Sequence, residues 1–139
     1  MAKIETFEYM EVWQQPKSLV KHIYDLTSKD ALARDFALRD QIPRASILVM
    51  SNVAEGFERS SNKEFICFLG ISKVSVTEAR SQLYIAFNLN YLDTSTFQAL
   101  KEKLIFSITS AFSFRKISQR ELEEATMNFQ FLIPSKESI

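Results

Sequence analysis

The chain has 139 residues, 46% hydrophobic and 24% charged, which is enough for one domain with a sizeable core. Only 2 glycines and 3 prolines are present, too few for a loop-rich β-sandwich and in keeping with helices joined by short connections. The 17 basic and 17 acidic residues cancel. That balance excludes, at the level of totals, the strongly basic footprint of a dedicated nucleic-acid binder, leaves a local basic face open, and does little to resist self-association.

Residues 1–9 read as a short arm. The first helix is predicted over about Met10–Ser28, because Val12, Leu19, Ile23 and Leu26 recur on one helical face and Trp13, Val20 and Tyr24 widen it. Pro16 lacks a backbone N–H and fits best in a first turn, which places the helix start near Gln14 with Trp13 packing beside it. The second helix is predicted over about Leu32–Arg59. Leu38, Ile42, Ala45, Val49, Asn52 and Gly56 alternate four and three apart, a seam of period 3.5, and Pro43 should kink it by removing the bond to the Arg39 carbonyl.

The third helix opens with a capping box, Ser61 and Glu64. Phe65, Leu69, Ser72, Val76, Ala79, Leu83, Ala86 and Asn90 then form an unbroken seam, a rod of about 29 residues and roughly 43 Å. Phe68, Ile71, Ile85 and Leu89 widen its stripe and predict two buried flanks. The fourth helix begins near Thr94 or Ser95 and carries Phe97, Leu100, Leu104, Ile108, Ala111 and Phe112 inward. A second capping box, Ser118 with Glu121, opens a last segment that either prolongs the fourth helix or forms a short helix of its own. Pro134 ends that segment, and residues 135–139 are expected to fray. The predicted fold is all-α: a single antiparallel up-down-up-down four-helix bundle with its core over about 10–115 and a C-terminal helical extension over 116–139. Small seam residues (Ala45, Gly56, Ser72, Ala79, Ala86) let the second and third helices approach closely.

No constellation for catalysis, a metal or a cofactor emerges. His22 is the sole histidine and Cys67 the sole cysteine, with no two-ligand spacing between them. Cys67 lies in the first turns of the third helix, where the helix dipole favours a thiolate, but its nearest basic neighbour in sequence is Lys63 and no general base accompanies it; a core or interface cysteine is the better reading. A single cysteine permits no intramolecular disulfide and fits a reducing cytoplasm. Acids interrupt the N-terminal stretch, so it does not read as a signal peptide, and no apolar run approaches the ~20 residues of a membrane span.

Gly56 in a helix costs about 1 kcal/mol relative to alanine, so a compensating reason is expected: a neighbouring helix packed on its bare backbone, or the start of the chain's exit from the second helix. Glu55 and Arg59 stand in the favoured order for an ion pair. With Asn52 they form either a functional surface or a polar brace between helices. Arg39, Arg44, Arg59, Lys63, Lys73 and Arg80 are the candidate nucleic-acid contacts; the competing reading is a solvated face interleaved with Glu55, Glu58, Glu64 and Glu78. Phe106, Phe112, Phe114, Phe129 and Phe131 exceed the needs of one bundle face and suggest a subunit interface, unless the tail folds back on its own bundle.

The order Val12-Trp13-Gln14, Gln41, Arg44-Ala45, Ser51-Asn52-Val53-Ala54-Glu55-Gly56, Arg59, Glu64-Phe65, Phe68-Leu69, Ser75, Glu78 and Tyr91-Leu92 resembles a known family. These are the small bacterial proteins encoded by intervening sequences of 23S ribosomal RNA genes, related to accessory subunits of diversity-generating retroelements. The likeness covers about residues 7–112. It departs at Asp30-Ala31, Pro43, Met50 and Arg80, and the tail after Arg115 has no counterpart. The resemblance implies a four-helix bundle assembled as a ring-shaped homopentamer, with no established enzymatic activity, and for the retroelement relatives it implies binding of nucleic acid and reverse transcriptase through basic surfaces. The leading expectation is a cytoplasmic, non-enzymatic, oligomeric scaffold for RNA or a nucleoprotein partner. The alternatives are a structural or protein-interaction module without a nucleic-acid role, and an enzyme whose site lies in the ring pore or between subunits.

Overall fold

The computed structural model describes residues 11–129. The expected N-terminal arm, the stop at Pro134, the frayed end and Phe131 lie outside the described residues, as do the side chains of Val12 and Phe129. Among the described residues six helices follow in order: α1 Glu11–Thr27, α2 Asp30–Arg34, α3 Phe36–Glu58, α4 Asn62–Asn88, α5 Thr94–Arg115 and α6 Gln119–Phe129. The four long ones, α1, α3, α4 and α5, close a ring of neighbours in chain order, with α1 returning against α5. That is the expected antiparallel four-helix bundle.

The predicted seams face inward, except that on α3 Val53 and not the expected Asn52 continues the buried stripe. Leu38, Ile42, Ala45, Val49, Val53 and Gly56 of α3 are buried, as are Phe65, Leu69, Ser72, Val76, Ala79, Leu83 and Ala86 of α4. Leu19 and Ile23 of α1 and Phe97, Leu100, Leu104, Ile108 and Ala111 of α5 complete the core. Burying a side chain of this size contributes roughly 1.5–3 kcal/mol, so these seams drive the assembly of the bundle.

Four expectations are corrected. The helix predicted over Leu32–Arg59 is two helices. The short α2 ends at Asp35, whose carboxylate caps α3 by accepting the Leu38 N–H at 3.2 Å and the Tyr91 hydroxyl at 3.1 Å. An aspartate with both oxygens engaged favours the cap conformation over helix continuation. Pro43 lies inside the longer of the two, α3. The first helix includes Pro16 well past its first turn, so it starts before Gln14; the proline ring is fully buried, and its apolar contacts offset the missing hydrogen bond. Asn90 is not the last seam residue of α4. It adopts φ 61° and forms a Schellman stop, with Asn90 N–H donating to Phe87 O and Tyr91 N–H to Ala86 O. Lastly, the second flank of α4 is not buried within the chain, since Ile71, Ile85 and Leu89 stay exposed.

The last segment is a separate helix because Lys116 turns into the left-handed region and Ser118 restarts the chain with a complete capping box. Ser118 N–H donates to Glu121 Oε2 at 2.9 Å, and Glu121 N–H donates to Ser118 Oγ at 3.2 Å. At the start of α4, Ser61 Oγ accepts the Glu64 N–H at 3.2 Å.

Replacing Asp35→Ala removes both the α3 cap and the link to Tyr91. It is expected to destabilise the bundle by about 1–2 kcal/mol, read as a lower urea midpoint with an unchanged slope.

Candidate functional site

Two surface regions gather the polar and charged side chains. The first is the bundle end at the α3–α4 turn. A Cβ added to Gly56 would lie 3.3 Å from Phe65 Cδ2 and 3.4 Å from Phe68 Cβ, so the glycine is there because α4 packs on its bare backbone. Phe65 is fully buried and cannot give way cheaply. One turn on, Ser72 Oγ donates to the Val49 carbonyl at 2.9 Å, a buried cross-helix bond that fixes the register of α4 on α3.

Glu55 and Arg59 form the expected ion pair at 3.1 Å, and the Arg59 guanidinium lies 4.7 Å from the Phe68 ring centre. Asn52 does not join them; its amide donates to Leu48 O in its own helix at 2.9 Å. Of the expected three-residue brace, only the pair exists. The bracing falls instead to Arg115, which the sequence reading passed over. From the end of α5 its guanidinium donates to Asn62 Oδ1 (2.9 Å), Arg59 O (2.8 Å), Ser60 O (3.2 Å) and Gly56 O (3.4 Å), and it sits 4.8 Å from the Phe65 ring centre. Helix ends leave carbonyls without partners, and one forked cation at the C-terminus of α5 satisfies three from the end of α3 and the turn that follows it. Asn62 then passes the link on, its amide donating to Glu121 Oε1 at 2.8 Å, which fastens α6 to the start of α4. The signal available in sequence was the arginine in the last turn of a helix, but nothing local named its partners more than fifty residues earlier.

The six predicted basic residues do not form one patch. At about 100° per residue, Arg39 and Arg59 fall on opposite flanks of the α3 seam and Arg44 on its back. Arg39 is held by Asp40 at 2.9 Å and lies over the Phe36 ring, and Lys63 is exposed on the back of α4. Lys73 and Arg80 are brought together, two turns apart on the α4 flank that faces α5. Opposite them stands Lys101, another residue missed in sequence, whose amine reaches the Tyr84 hydroxyl at 3.3 Å and lies over the rings of Tyr84 and Phe97. This second region is a groove with Lys73, Thr77, Arg80 and Tyr84 on one wall and Gln98, Lys101, Ile105 and Thr109 on the other, and neither wall carries an acid. Among the described residues none of the three cations has an acidic partner, and Arg80 Nε is buried without an acceptor.

His22 approaches the Lys103 amine at 3.5 Å through Nδ1, and Cys67 is partly exposed. Among the described residues no three His, Cys, Asp or Glu groups cluster to hold a metal, and no helix is long and apolar enough to cross a membrane. Of the aromatics, Phe112 packs edge-on to Phe65 and Phe114 to Phe57, while Phe106 stays half exposed. Ile117 and Leu122 fold back on the core, so the tail covers its own bundle in part.

The architecture defines a small helical-bundle protein with a C-terminal helix latched across one end. The chain belongs to the 23S rRNA-intervening sequence protein family, whose pattern matches residues 8–111. The fold is also similar to a crystal structure from Bacteroides thetaiotaomicron VPI-5482, described as a protein of unknown function from the S23 ribosomal protein family. The TM-score is 0.65 at 17% identity, over 76% of this chain and 99% of that one. Comparison with curated proteins returned no match. The α6 latch lies beyond the family match.

Two outcomes follow. Gly56→Leu is expected to destabilise the protein by about 2 kcal/mol or more, because the side chain must displace Phe65; thermal and urea unfolding measure it. The Glu121 carboxyl is held below its usual value by the Ser118 N–H, the Asn62 amide and the Ser118 hydroxyl. Its contribution to α6 docking is therefore full above the ordinary glutamate pKa and is lost as pH falls through the depressed one. NMR signals of Ser118 and Leu122 should report that release before the bundle unfolds.

Proposed function

We propose that this chain is a non-enzymatic, oligomeric scaffold that binds RNA or a nucleoprotein through the α4–α5 groove. The observation that carries the nucleic-acid half is the groove itself: among the described residues Lys73, Arg80 and Lys101 line it without acidic partners, and Arg80 Nε is buried without an acceptor. A desolvated guanidinium nitrogen on a surface that carries two further cations and no acid favours an anionic ligand, and the phosphate backbone supplies one at regular spacing. The sequence resemblance to accessory proteins of diversity-generating retroelements supports the same class of partner. Assembly into a ring such as a homopentamer would multiply the three cations around one circle. That reading is supported by the exposed apolar side chains of α4 and by the absence of net charge to oppose association.

A second reading, a protein-interaction module without a nucleic-acid role, draws on the charge balance and on Arg39 and Arg59 being already paired. Titration with mixed-sequence RNA separates the two. The first reading expects binding at low salt that weakens as salt rises. It also expects Lys73→Ala/Arg80→Ala/Lys101→Ala to lose about tenfold or more with a shallower salt dependence, while Arg44→Ala/Arg59→Ala changes little. Absence of RNA binding by the wild-type chain at low salt leaves the second reading standing.

A further inference from the structure

The groove between α4 and α5 does not run the length of the bundle. On α4, Asn62, Ile66 and Gly70 continue, at spacings of three and four, the stripe that carries Lys73, Arg80 and Tyr84. Ile66 and Gly70 are buried, whereas Lys73 and Arg80 are half-buried and Tyr84 is 42% exposed. What changes along the stripe is α6. The chain leaves α5 at Arg115, and by Glu121 it has reached α4, where that carboxylate accepts the Asn62 amide at 2.8 Å. The segment thus crosses from one wall of the groove to the other, and α6 packs on α4 with Leu122 against the core. A helix seated on a surface stands about 10 Å proud of it. At the opposite end the walls are joined only by the short turn over residues 89–93. The charges differ as well. Neither wall carries an acid, but α6 brings Glu121, Glu123 and Glu124 against a single arginine, Arg120, and Glu123 and Glu124 are exposed.

We propose that α6 is an intramolecular brake on the α4–α5 groove: docked, it stops a nucleic-acid strand at the Lys73 end, and released, it lets the strand continue past Gly70 and takes three carboxylates out of its path. This deepens the nucleic-acid half of the function proposed above and rests on it. With α6 in place, the open stretch from Lys73 to Tyr84 spans about 16 Å at ~1.5 Å per residue, room for roughly five stacked nucleotides at ~3.4 Å each. A longer strand meets both the bulk of α6 and its glutamates. The attachment of α6 is peripheral. It is held by the Asn62–Glu121 hydrogen bond and by Ile117 and Leu122 packing on the edge of the core. Its hinge is Lys116, at φ 55°, a left-handed conformation that an L-residue holds at a cost and that release lets it leave. Elements with few buried contacts are the ones that open locally while the rest of a fold stays closed. Docking and strand binding are then opposed through one linkage: a strand long enough to need the covered stretch weakens the docking of α6 by the same factor as docking weakens the strand.

The test is fluorescence anisotropy of the full chain with labelled oligouridylates of about five and about twenty nucleotides at low salt. Leu122→Ser removes the apolar hold on α6, and Glu121→Ala removes the link to Asn62 by an independent route. Both positions lie outside the four long helices, and circular dichroism checks that these remain. Each variant is expected to bind the longer RNA about tenfold more tightly than the wild type does, and the shorter RNA within about twofold of it. Addition of the longer RNA to the wild type is expected to speed amide exchange in α6 and not in α3. An unchanged affinity for the longer RNA in both variants, or an equal gain for both lengths, overturns the brake and leaves the groove standing. Failure of the wild type and both variants to bind either RNA overturns the groove and the brake together.

Discussion

The close approach of α3 and α4 at Gly56 governs the rest of the molecule. With no side chain at this position, Phe65 and Phe68 can lie against the backbone of α3, which sets the distance between the two axes at the turn. Ser72 donating to the Val49 carbonyl then fixes how far one helix is slid along the other. Once both are set, the Arg39–Arg59 stretch and the Lys63–Arg80 stretch have no freedom to gather into one basic face. The placement of charge on the surface is a consequence of packing in the core.

Arg115 extends that control to the end of the bundle. Its planar donors hold carbonyls of Gly56, Arg59 and Ser60 while its face lies on Phe65, so the same aromatic ring that demands the glycine also seats the arginine. Asn62 couples this clamp to Glu121 and hence to α6. The helix beyond the family match is therefore attached through a turn that lies within the match.

Much of the fold was legible because seams are local and periodic. The Ser61 and Ser118 caps, the inner stripe of α4 and the Glu55–Arg59 pair depend on residues three or four apart, and each appears as spacing predicts. The failures share a cause. Asp35 ends α2 because a tyrosine fifty-six positions away engages its second oxygen, and Pro16 sits inside α1 because its ring is buried. Lys101 and Arg115 escaped notice since their partners come from other helices. The outer flank of α4 was read as buried because periodicity reports that a stripe is apolar without saying whether the same chain covers it.

By itself the sequence determined the helices, their inward faces and the small residues that let two of them touch, since hydrophobic period, capping chemistry and the absence of a Cβ act within a few residues along the chain. Only the tertiary structure decided which cations share a groove, which helix end is clamped and which apolar stripe is left facing outward. Those are relations between helices, set by the axial slide and rotation of packed rods, and no spacing within one helix encodes them.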